Sequence, residues 1–462
     1  MSEPVIVVGA GPGGLAAAWR LKQAGHTVRI LEKDPKVGGR MQSTLKDGFV
    51  VDRAAQIIPD AYKNILGIVA EAGMQDELVK GGSIIGFAKP GGIHYLDSDR
   101  LYSSAAKTRL LSPRSKLSML KLLRDARRLE PLMSYEDLSV AQEYDTETAQ
   151  EYAARRVTPE IAEYVIDGAI RAILGTRARD VSMLEFFFSF SKVFGSTLWN
   201  FRHGMGSYPE TLATRFDDLQ LNAEVLSVEE VAGGVTVTWR DTDGADHVEH
   251  AAGCVIAVPA DRAAALHTGL DDWRRSFLEN VRYTTTVSIN AGLSAPPKDV
   301  PGFVVQVPPS VDDDLMCVVM EHNKAPEHVP AGKGGLTTFT MHEAARRLLE
   351  KTDDEVADEV LAHTQAIIGK LPDVEWVLVN RWTFVCVRTY PGYYKEVGRF
   401  QALRREKDRR VQLAGDFYSS SNANTATAAG EAAARDLLAA LSGVPAGSGG
   451  APAGSPAAAV TR

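Results

Sequence analysis

The sequence predicts an α/β fold, in which a parallel-sheet domain is interrupted by an inserted α+β domain. Residues 4–32 read as a strand, a glycine-rich loop, a helix and a second strand, which is the βαβ unit of a parallel sheet. Residues 411–441 read as a further strand, a Gly-Asp turn and a helix, so the chain is expected to return to that sheet near its end. Between these ends the pattern changes: residues 85–200 read as mostly helical, and residues 280–390 as strands with one helix.

The first loop carries three glycines in G-x-G-x-x-G spacing, directly after the strand Val5 to Val8. Gly9 permits the tight turn, Gly11 lets a pyrophosphate approach the backbone, and Gly14 lets helix and strand pack closely. The N–H groups at the start of the helix favour the phosphate charge. Glu32 ends the second strand, where a carboxylate can accept from the hydroxyls of an adenosine ribose. The unit therefore predicts dinucleotide binding.

Glu32 alone does not distinguish NAD from FAD, because both contain an adenosine ribose. A second glycine pair, Gly38 and Gly39, can bring another backbone segment to the pyrophosphate, and Arg40 supplies a bidentate cation for it. This opening resembles the FAD-binding opening of the flavin amine oxidase and protoporphyrinogen oxidase superfamily. The resemblance implies FAD as cofactor, held by a Rossmann-like domain of the three-layer, glutathione-reductase-like type.

The C-terminal part of the chain resembles the same family. The resemblance implies that Asp416, after Gly415, holds the pyrophosphate or the ribityl chain. It also implies that the start of the following helix, at Thr425 and Ala426, turns its N–H groups toward the carbonyl edge of the flavin. The family usually has glycine where this chain has Thr425, so a looser contact is expected there. The residue matching Val225 contacts the adenine through its backbone in the family.

The same resemblance predicts how the chain is divided into domains. A discontinuous FAD-binding domain is expected from residues 1–80, 205–268 and 395–442, and a substrate-binding domain from residues 85–200 and 280–390. From residue 443 to residue 462 the chain is rich in Gly, Ala, Pro and Ser and lacks large apolar residues, so we expect a flexible tail.

Candidate residues for the reaction come from two segments of the substrate half. His203 precedes a stretch similar to the family's Gly-Met-x-x-Leu-Pro return beside the flavin, and is the best-placed titratable group, although a plain hydrogen-bonding histidine is the alternative. Trp382 and Tyr390 belong to a stretch that resembles the Arg-Trp…Tyr-x-x-Gly segment of protoporphyrinogen oxidases, and they are expected to form walls of the substrate pocket.

Cys386 precedes Tyr390 by four residues, and the flavin-bonded cysteine of monoamine oxidases has the same spacing to a tyrosine. Bulky Val385 argues against such close approach, so we expect non-covalent FAD.

The flavin amine oxidases commonly place a lysine near the flavin, yet the matching residues 283–288 contain none. This favours dehydrogenation of an apolar or ring-containing small molecule over amine or amino-acid oxidation. Two further functions stay open at this point: a flavin-dependent isomerase or mutase, and a non-catalytic protein that keeps FAD structurally. Only one dinucleotide fingerprint is present, so dioxygen or another acceptor is expected to reoxidise the flavin.

Composition limits the remaining function classes. The 462 residues carry a formal net charge of -8, which gives no sign of nucleic-acid binding. The three cysteines show no CxxC or metal spacing, so neither a metal site nor a disulfide framework is expected. Glu3 argues against a signal peptide, and we expect a cytoplasmic protein.

Residues 107–128 are basic and amphipathic and could lie on an anionic membrane surface, but a solvated helix face is the favoured interpretation. The aromatic run 186–190 is interpreted as core rather than site.

Overall fold

The computed structural model of the protein describes residues 3–407 and 409–443. Most of the predicted tail, residues 444–462, lies outside the described residues. The strands are β1 (Val5–Val8), β2 (Val28–Leu31), β3 (Ser43–Lys46), β4 (Phe49–Asp52), β5 (Ile58–Pro59), β6 (Leu78–Lys80), β7 (Ile84–Lys89), β8 (Gly92–Asp97), β9 (Leu198–Phe201), β10 (Leu219–Gln220), β11 (Glu224–Val231), β12 (Gly234–Arg240), β13 (Asp246–Ala251), β14 (Gly253–Ile256), β15 (Thr286–Leu293), β16 (Val304–Gln306), β17 (Leu315–Met320), β18 (Gly334–Thr340), β19 (Val374–Trp382) and β20 (Val411–Leu413). The α-helices are α1 (Pro12–Gln23), α2 (Lys63–Glu71), α3 (Leu101–Lys107), α4 (Pro113–Leu129), α5 (Ala149–Arg156), α6 (Pro159–Ile161), α7 (Gly168–Leu174), α8 (Met183–Val193), α9 (Ser207–Ala213), α10 (Ala260–Leu266), α11 (Asp272–Asn280), α12 (Glu321–Lys324), α13 (His342–Leu348), α14 (Asp353–Ile368), α15 (Tyr393–Lys407) and α16 (Ala423–Leu441).

A five-stranded parallel sheet joins both ends of the chain, with the strand order β10-β2-β1-β14-β20. Its central strand β1 is fully buried and pairs Val5 with Val28 on one side and with Gly253 on the other. Apolar β-branched residues on both faces suit a strand that is covered on both sides. The βαβ unit predicted for residues 4–32 and the late return of the chain to the same sheet are therefore confirmed.

Helices α1 and α16 pack against each other beside this sheet, and the antiparallel sheet β11-β12-β13 contacts it through β14 and β20. The two helices come close because each carries a glycine at the contact: a Cβ on Gly430 would lie 2.0 Å from the Gly13 carbonyl oxygen. The result is the predicted α/β fold of Rossmann-like type. The residue limits assigned to its domains stay a prediction.

The other half contains a seven-stranded mixed sheet with the order β19-β15-β18-β17-β16-β7-β8. Its strands pair antiparallel except β16 with β7, which are parallel. Helix α14 packs on this sheet and begins with a capping box formed by Thr352 and Glu355. The buried residues of the sheet and of α14 form a core of their own.

Two expectations for the middle of the chain need correction. Residues 84–97 are a hairpin, β7-β8, at the edge of the mixed sheet, rather than part of a helical stretch. Residues 280–390 contain α12 and α13 besides α14, and these helices are too short to give a periodic apolar pattern. The basic segment 107–128 is likewise interrupted, because Ser112 caps a new helix that starts at Pro113.

The aromatic run Phe186 to Phe190 lies in α8, and its four phenylalanines are buried in the main core. Its interpretation as core is confirmed. Within the described residues, no helix combines the length and the apolar content needed to cross a bilayer.

Candidate functional site

The glycine-rich loop after β1 leaves open space at one glycine and none at the other two. Gly9 adopts φ +97°, and a Cβ there would lie 2.6 Å from the Ala257 carbonyl oxygen. A Cβ on Gly14 would lie 1.9 Å from the Gly9 carbonyl oxygen, so neither position accepts a side chain. A Cβ on Gly11 would meet no atom within 4 Å. Gly9 and Gly14 therefore shape the loop, whereas Gly11 faces the space that a ligand could fill.

The second glycine pair runs alongside this space. The Gly38 N–H donates to the Ala10 carbonyl at 2.9 Å, which ties the two loops together. Gly38 and Gly39 have φ angles of +107° and +53°, and a Cβ on Gly39 would lie 3.7 Å from the Gly11 Cα. Both loops thus present bare backbone to the same place, as a pyrophosphate site requires.

Glu32 is buried at the end of β2. Its Oε2 accepts from the Ala10 N–H at 2.7 Å and its Oε1 from the Asp34 N–H at 2.9 Å. Burial raises the pKa of Glu32 above its usual value, and the two backbone donors act against this. Its own carbonyl accepts from the Ala223 N–H at 2.8 Å, so the segment leading to Val225 lies beside the carboxylate. Glu32, which is predicted to bind the ribose, therefore lies close to the segment of Val225, which is predicted to contact the adenine.

Arg40, which follows the second glycine pair, forms an ion pair with Asp416. Arg40 Nη1 lies 2.6 Å from Asp416 Oδ2 and donates to the Val385 carbonyl at 2.5 Å. Asp416 is buried and also accepts from the Ser421 hydroxyl. Burial alone would lower the pKa of Arg40, but the charge of Asp416 outweighs it and raises that pKa.

The start of α16 lies directly after this pair. Asn422 caps the helix by accepting from the Thr425 N–H at 2.9 Å. The Thr425 side chain turns inward and donates to the Ser420 carbonyl at 2.6 Å. The hydroxyl group of Thr425, which stands where the family usually has glycine, is therefore hydrogen-bonded within the protein. The Ala426 carbonyl lies against Gly13, where a Cβ would be 2.8 Å away, and Gly415 has the Phe417 ring where its side chain would be.

Cys386 is buried next to the Arg40–Asp416 pair. Burial raises the pKa of its thiol to about 12, with Asp416 and Glu185 adding to the shift and Arg40 opposing it. Its Sγ contacts the Ile173 carbonyl at 3.6 Å. The thiol is therefore neutral at physiological pH.

Tyrosine side chains lie near Cys386 and Asp416, since Tyr283 pairs with Val387 next to Cys386. Burial raises the pKa of Tyr62, Tyr283 and Tyr393, and the charge of Asp416 adds to the shift for Tyr283 and Tyr393. The Tyr393 hydroxyl donates to the Phe417 carbonyl at 2.8 Å, and the Tyr283 hydroxyl accepts from the Ala260 N–H at 3.0 Å. The hydroxyl groups of Tyr283 and Tyr393 are therefore hydrogen-bonded within the protein.

Two of the predicted catalytic residues have exposed side chains. His203 is 69% exposed, and its Nδ1 lies 2.9 Å from Glu77 Oε2 in a surface pair. Tyr390 is 43% exposed, and its hydroxyl donates to Glu396. The centroid of the Tyr390 ring lies 5.5 Å from that of Tyr393, and the catalytic roles of His203 and Tyr390 stay predictions.

Trp382 is half-buried at the end of β19. Its Nε1 donates to the Arg53 carbonyl at 3.2 Å, and the Arg53 guanidinium lies 5.4 Å from the centroid of its ring. Its role as a pocket wall stays a prediction.

Sequence reasoning missed a buried charge network between the two halves. Lys324 Nζ lies 2.9 Å from Asp52 Oδ2, 2.7 Å from Glu321 Oε2 and 2.8 Å from Gln56 Oε1. Asp52 Oδ1 also accepts from the Met205 N–H at 2.7 Å. Asp52 and Lys324 are 272 positions apart, and no local pattern marks either residue. This network ties the hairpin β3-β4 to α12 and to the segment after β9.

The same network sets the charges of its members. Burial alone would raise the pKa of Asp52 and lower that of Lys324, but their mutual attraction outweighs burial and shifts both the other way. Asp52, Glu321 and His328 lie close enough to share a cation, and the ammonium of Lys324 contacts both carboxylates. The chain thus supplies its own cation here.

A second missed feature is a buried carboxyl group in α8. Glu185 accepts from the Tyr394 hydroxyl, and burial raises its pKa. Asp145 lies nearby, accepts from the Ser182 hydroxyl at 2.5 Å and from the Tyr394 N–H at 2.8 Å, and also has a pKa raised by burial. Both carboxyl groups are hidden in a sequence region that reads as ordinary helix.

Comparison with known proteins identifies relatives over nearly the whole chain. The family model described as flavin containing amine oxidoreductase matches residues 12–438. The chain is 23% identical to protoporphyrinogen oxidase 2, chloroplastic/mitochondrial, of Arabidopsis thaliana, and the match covers 90% of this chain and 89% of that protein. A putative protoporphyrinogen oxidase from Exiguobacterium sp. 255-15 has a similar structure, with a TM-score of 0.75 at 16% identity over 95% of this chain and 99% of that one. Cyclohexylamine oxidase from Brevibacterium oxydans IH-35A gives a TM-score of 0.74 at 18% identity over 96% and 100% of the two chains.

Proposed function

Because this chain belongs to the flavin-containing amine oxidoreductase family, and is therefore a flavin oxidoreductase, we propose that its flavin is FAD and that its substrate is an apolar, ring-containing small molecule. One observation carries the cofactor assignment. Glu32, Gly11 with Gly39, and Arg40 with Asp416 come from distant parts of the sequence and are joined through Ala10 and Gly38, which supports a ribose at Glu32 and a pyrophosphate at Gly11, Gly39 and Arg40.

The geometry of the chain fits an adenine dinucleotide rather than a mononucleotide. Glu32 and the backbone near Val225 would have no function toward a flavin that lacks the adenosine. Gly11 and Gly39 would hold the pyrophosphate by bare backbone, and Arg40 would neutralise its charge. Asp416 orients Arg40 by accepting from its Nη1. When bound, the flavin accepts a hydride from the substrate and is reoxidised by dioxygen or another acceptor.

The neighbourhood of Cys386 supports an apolar ring substrate. Tyr283 pairs with Val387 next to Cys386, and Tyr393 donates to the Phe417 carbonyl next to Asp416, and flat aromatic faces suit a planar molecule. Strand β15 begins at Thr286 and offers no lysine for amine chemistry, and the buried Lys324 is held by two carboxylates. The relation to protoporphyrinogen oxidases agrees with this proposal.

Glu185 gives a reason to keep amine oxidation as the second candidate. A buried carboxylate beside Cys386 could pair with the ammonium group of an amine. Burial raises the pKa of Glu185 and favours the neutral acid, which binds an ammonium group poorly, and the hydrogen bond from the Tyr394 hydroxyl only partly opposes this shift. We therefore rank amine oxidation below dehydrogenation of an apolar ring.

Two measurements test the proposal separately. Mass spectrometry of the cofactor released from purified protein should find FAD, and FMN alone would contradict the cofactor assignment. Anaerobic bleaching of the bound flavin should then be followed across porphyrinogens, polycyclic alkenes and amines. Bleaching by ring compounds is expected, whereas bleaching by amines only would move amine oxidation to first place.

A further inference from the structure

Helix α4 presents two leucines to solvent on the face opposite its buried stripe. Leu117 is 68% exposed and Leu120 is 63% exposed, and they are three positions apart along the helix, so they are neighbours on one face. The buried residues of α4 recur with helical spacing on the other side: Ser115, Leu122, Ala126 and Leu129. An ordinary solvent-facing helix surface carries polar residues at such positions.

The segment that contains this face is strongly basic in an acidic protein. Residues 101–129 contain eight Lys and Arg residues and one acidic residue, a formal net charge of +7, whereas the whole chain carries -8. Arg114, Lys121 and Arg124 are exposed and flank the two leucines. In the described part of the chain, these three side chains form no ion pair. The positive charge is therefore concentrated around an apolar centre, and Asp125, whose main partner is Arg156, is the acidic residue whose charge interacts with that of Arg124.

We propose that this surface of α4, formed by Arg114, Leu117, Leu120, Lys121 and Arg124, docks peripherally on an anionic lipid bilayer. Basic residues around exposed leucines match the acyl boundary and the phosphate layer of such a membrane. The positive face would orient a negatively charged protein toward the bilayer. A soluble polyanion would be complementary to the arginines and the lysine alone and would leave the leucines without a function. The proposal does not depend on the identity of the flavin or of the substrate.

Sedimentation with lipid vesicles tests the proposal on the purified full chain. Vesicles of phosphatidylcholine with about 30 mol% phosphatidylglycerol should bind the protein, and pure phosphatidylcholine vesicles should bind it far less. Binding should weaken in about 0.5 M NaCl, where the Debye length falls to about 4 Å. Failure to bind anionic vesicles at low salt would overturn the proposal.

Two variants separate the apolar part from the charged part. The triple change Arg114→Gln, Lys121→Gln and Arg124→Gln should weaken binding roughly 100-fold, since each basic residue near the surface contributes about fivefold. The double change Leu117→Ser and Leu120→Ser should weaken it roughly 10-fold or more, because less apolar surface enters the bilayer.

Matched controls carry the same changes elsewhere on the surface. Leu45→Ser with Val248→Ser removes two other exposed apolar residues, and Lys298→Gln, Arg346→Gln and Lys370→Gln removes three other exposed charges. Both controls should bind vesicles within about twofold of wild type, since neither set lies on α4. If the leucine variant binds the vesicles like wild type, the surface binds polyanions by its charge alone and the membrane proposal is wrong.

Discussion

Arg40 and Asp416 are 376 positions apart in the sequence and form an ion pair, with Nη1 2.6 Å from Oδ2. Arg40 follows the second glycine pair, and Asp416 precedes α16, so this contact joins an early and a late part of the chain. A cofactor that binds beside this ion pair would contact both parts and would therefore stabilise the folded protein.

Asp416→Asn should lower the free energy of unfolding by about 2 kcal/mol, because Arg40 loses its carboxylate in a partly buried site. Denaturant unfolding of the flavin-free protein measures this. Asp246→Asn is the matched control, since Asp246 pairs with Arg240 on the exposed surface, where an ion pair contributes about 0–1 kcal/mol. Equal effects of the two changes would contradict the buried role of Asp416.

Glu32→Ala should weaken FAD binding roughly tenfold or more, because it leaves ribose hydroxyls and the Ala10 N–H without an acceptor, at about 1–3 kcal/mol. Equilibrium dialysis with added FAD gives the affinity. Glu224→Ala changes an exposed glutamate close to Val225 and should retain wild-type affinity. If Glu32→Ala keeps its FAD equally well, the ribose lies elsewhere.

Lys324→Met should destabilise the protein by about 3–5 kcal/mol at pH 7, since it leaves Asp52 and Glu321 buried without their cation. Urea unfolding measures the loss. Lys298→Met, at an exposed position, should change the stability by less than about 0.5 kcal/mol. A small effect of Lys324→Met would mean that water reaches the network.

The same variant should respond to pH in a characteristic way. In the wild type the lowered pKa of Asp52 stabilises the fold above the unfolded value of about 4, and this contribution is lost as the pH falls through the folded pKa. The raised pKa of Lys324 stabilises below about 10.4, and that contribution is lost as the pH rises through its folded pKa. Without Lys324 the buried carboxyl groups bind protons more readily. The stability difference between wild type and Lys324→Met should therefore narrow as the pH is lowered from about 8 to 5.

Cys386 should neither bond to the flavin nor react in the native state. Acid precipitation should give a yellow supernatant and a colourless pellet, because the thiol is buried and its pKa is raised to about 12. A thiol reagent at pH 8 should label none of the three buried cysteines before denaturation and all of them after it. A yellow pellet that becomes colourless in Cys386→Ala would establish a covalent bond and favour amine oxidation.

His203→Asn should leave kcat/KM within about twofold of wild type, because His203 pairs with Glu77 at the surface. Steady-state kinetics with the substrate found by flavin bleaching checks this. A loss of a hundredfold or more, without a loss of bound flavin, would restore a catalytic role for His203.

The sequence by itself determined the parts of the protein that depend on local spacing. Gly9, Gly11 and Gly14 have defined distances along the chain, and so do the strand before them and Glu32 after them, so a βαβ unit and its ligand class follow from short-range geometry. The late strand and helix around Asp416 could be assigned for the same reason. Short elements without a full period, such as α13 and the hairpin β7-β8, could not be assigned in this way.

Only the tertiary structure decided which distant residues meet and which side chains turn inward. Lys324 contacts Asp52 because the fold brings β4 and α12 together. A local sequence pattern contains no information about a contact between residues 272 positions apart. His203 lies in a segment that matches a functional motif, yet its side chain faces solvent, since the direction of a side chain depends on the packing of its neighbours. Leu117 and Leu120 could have been core residues by their spacing, and the structure leaves them exposed because another face of α4 covers the core.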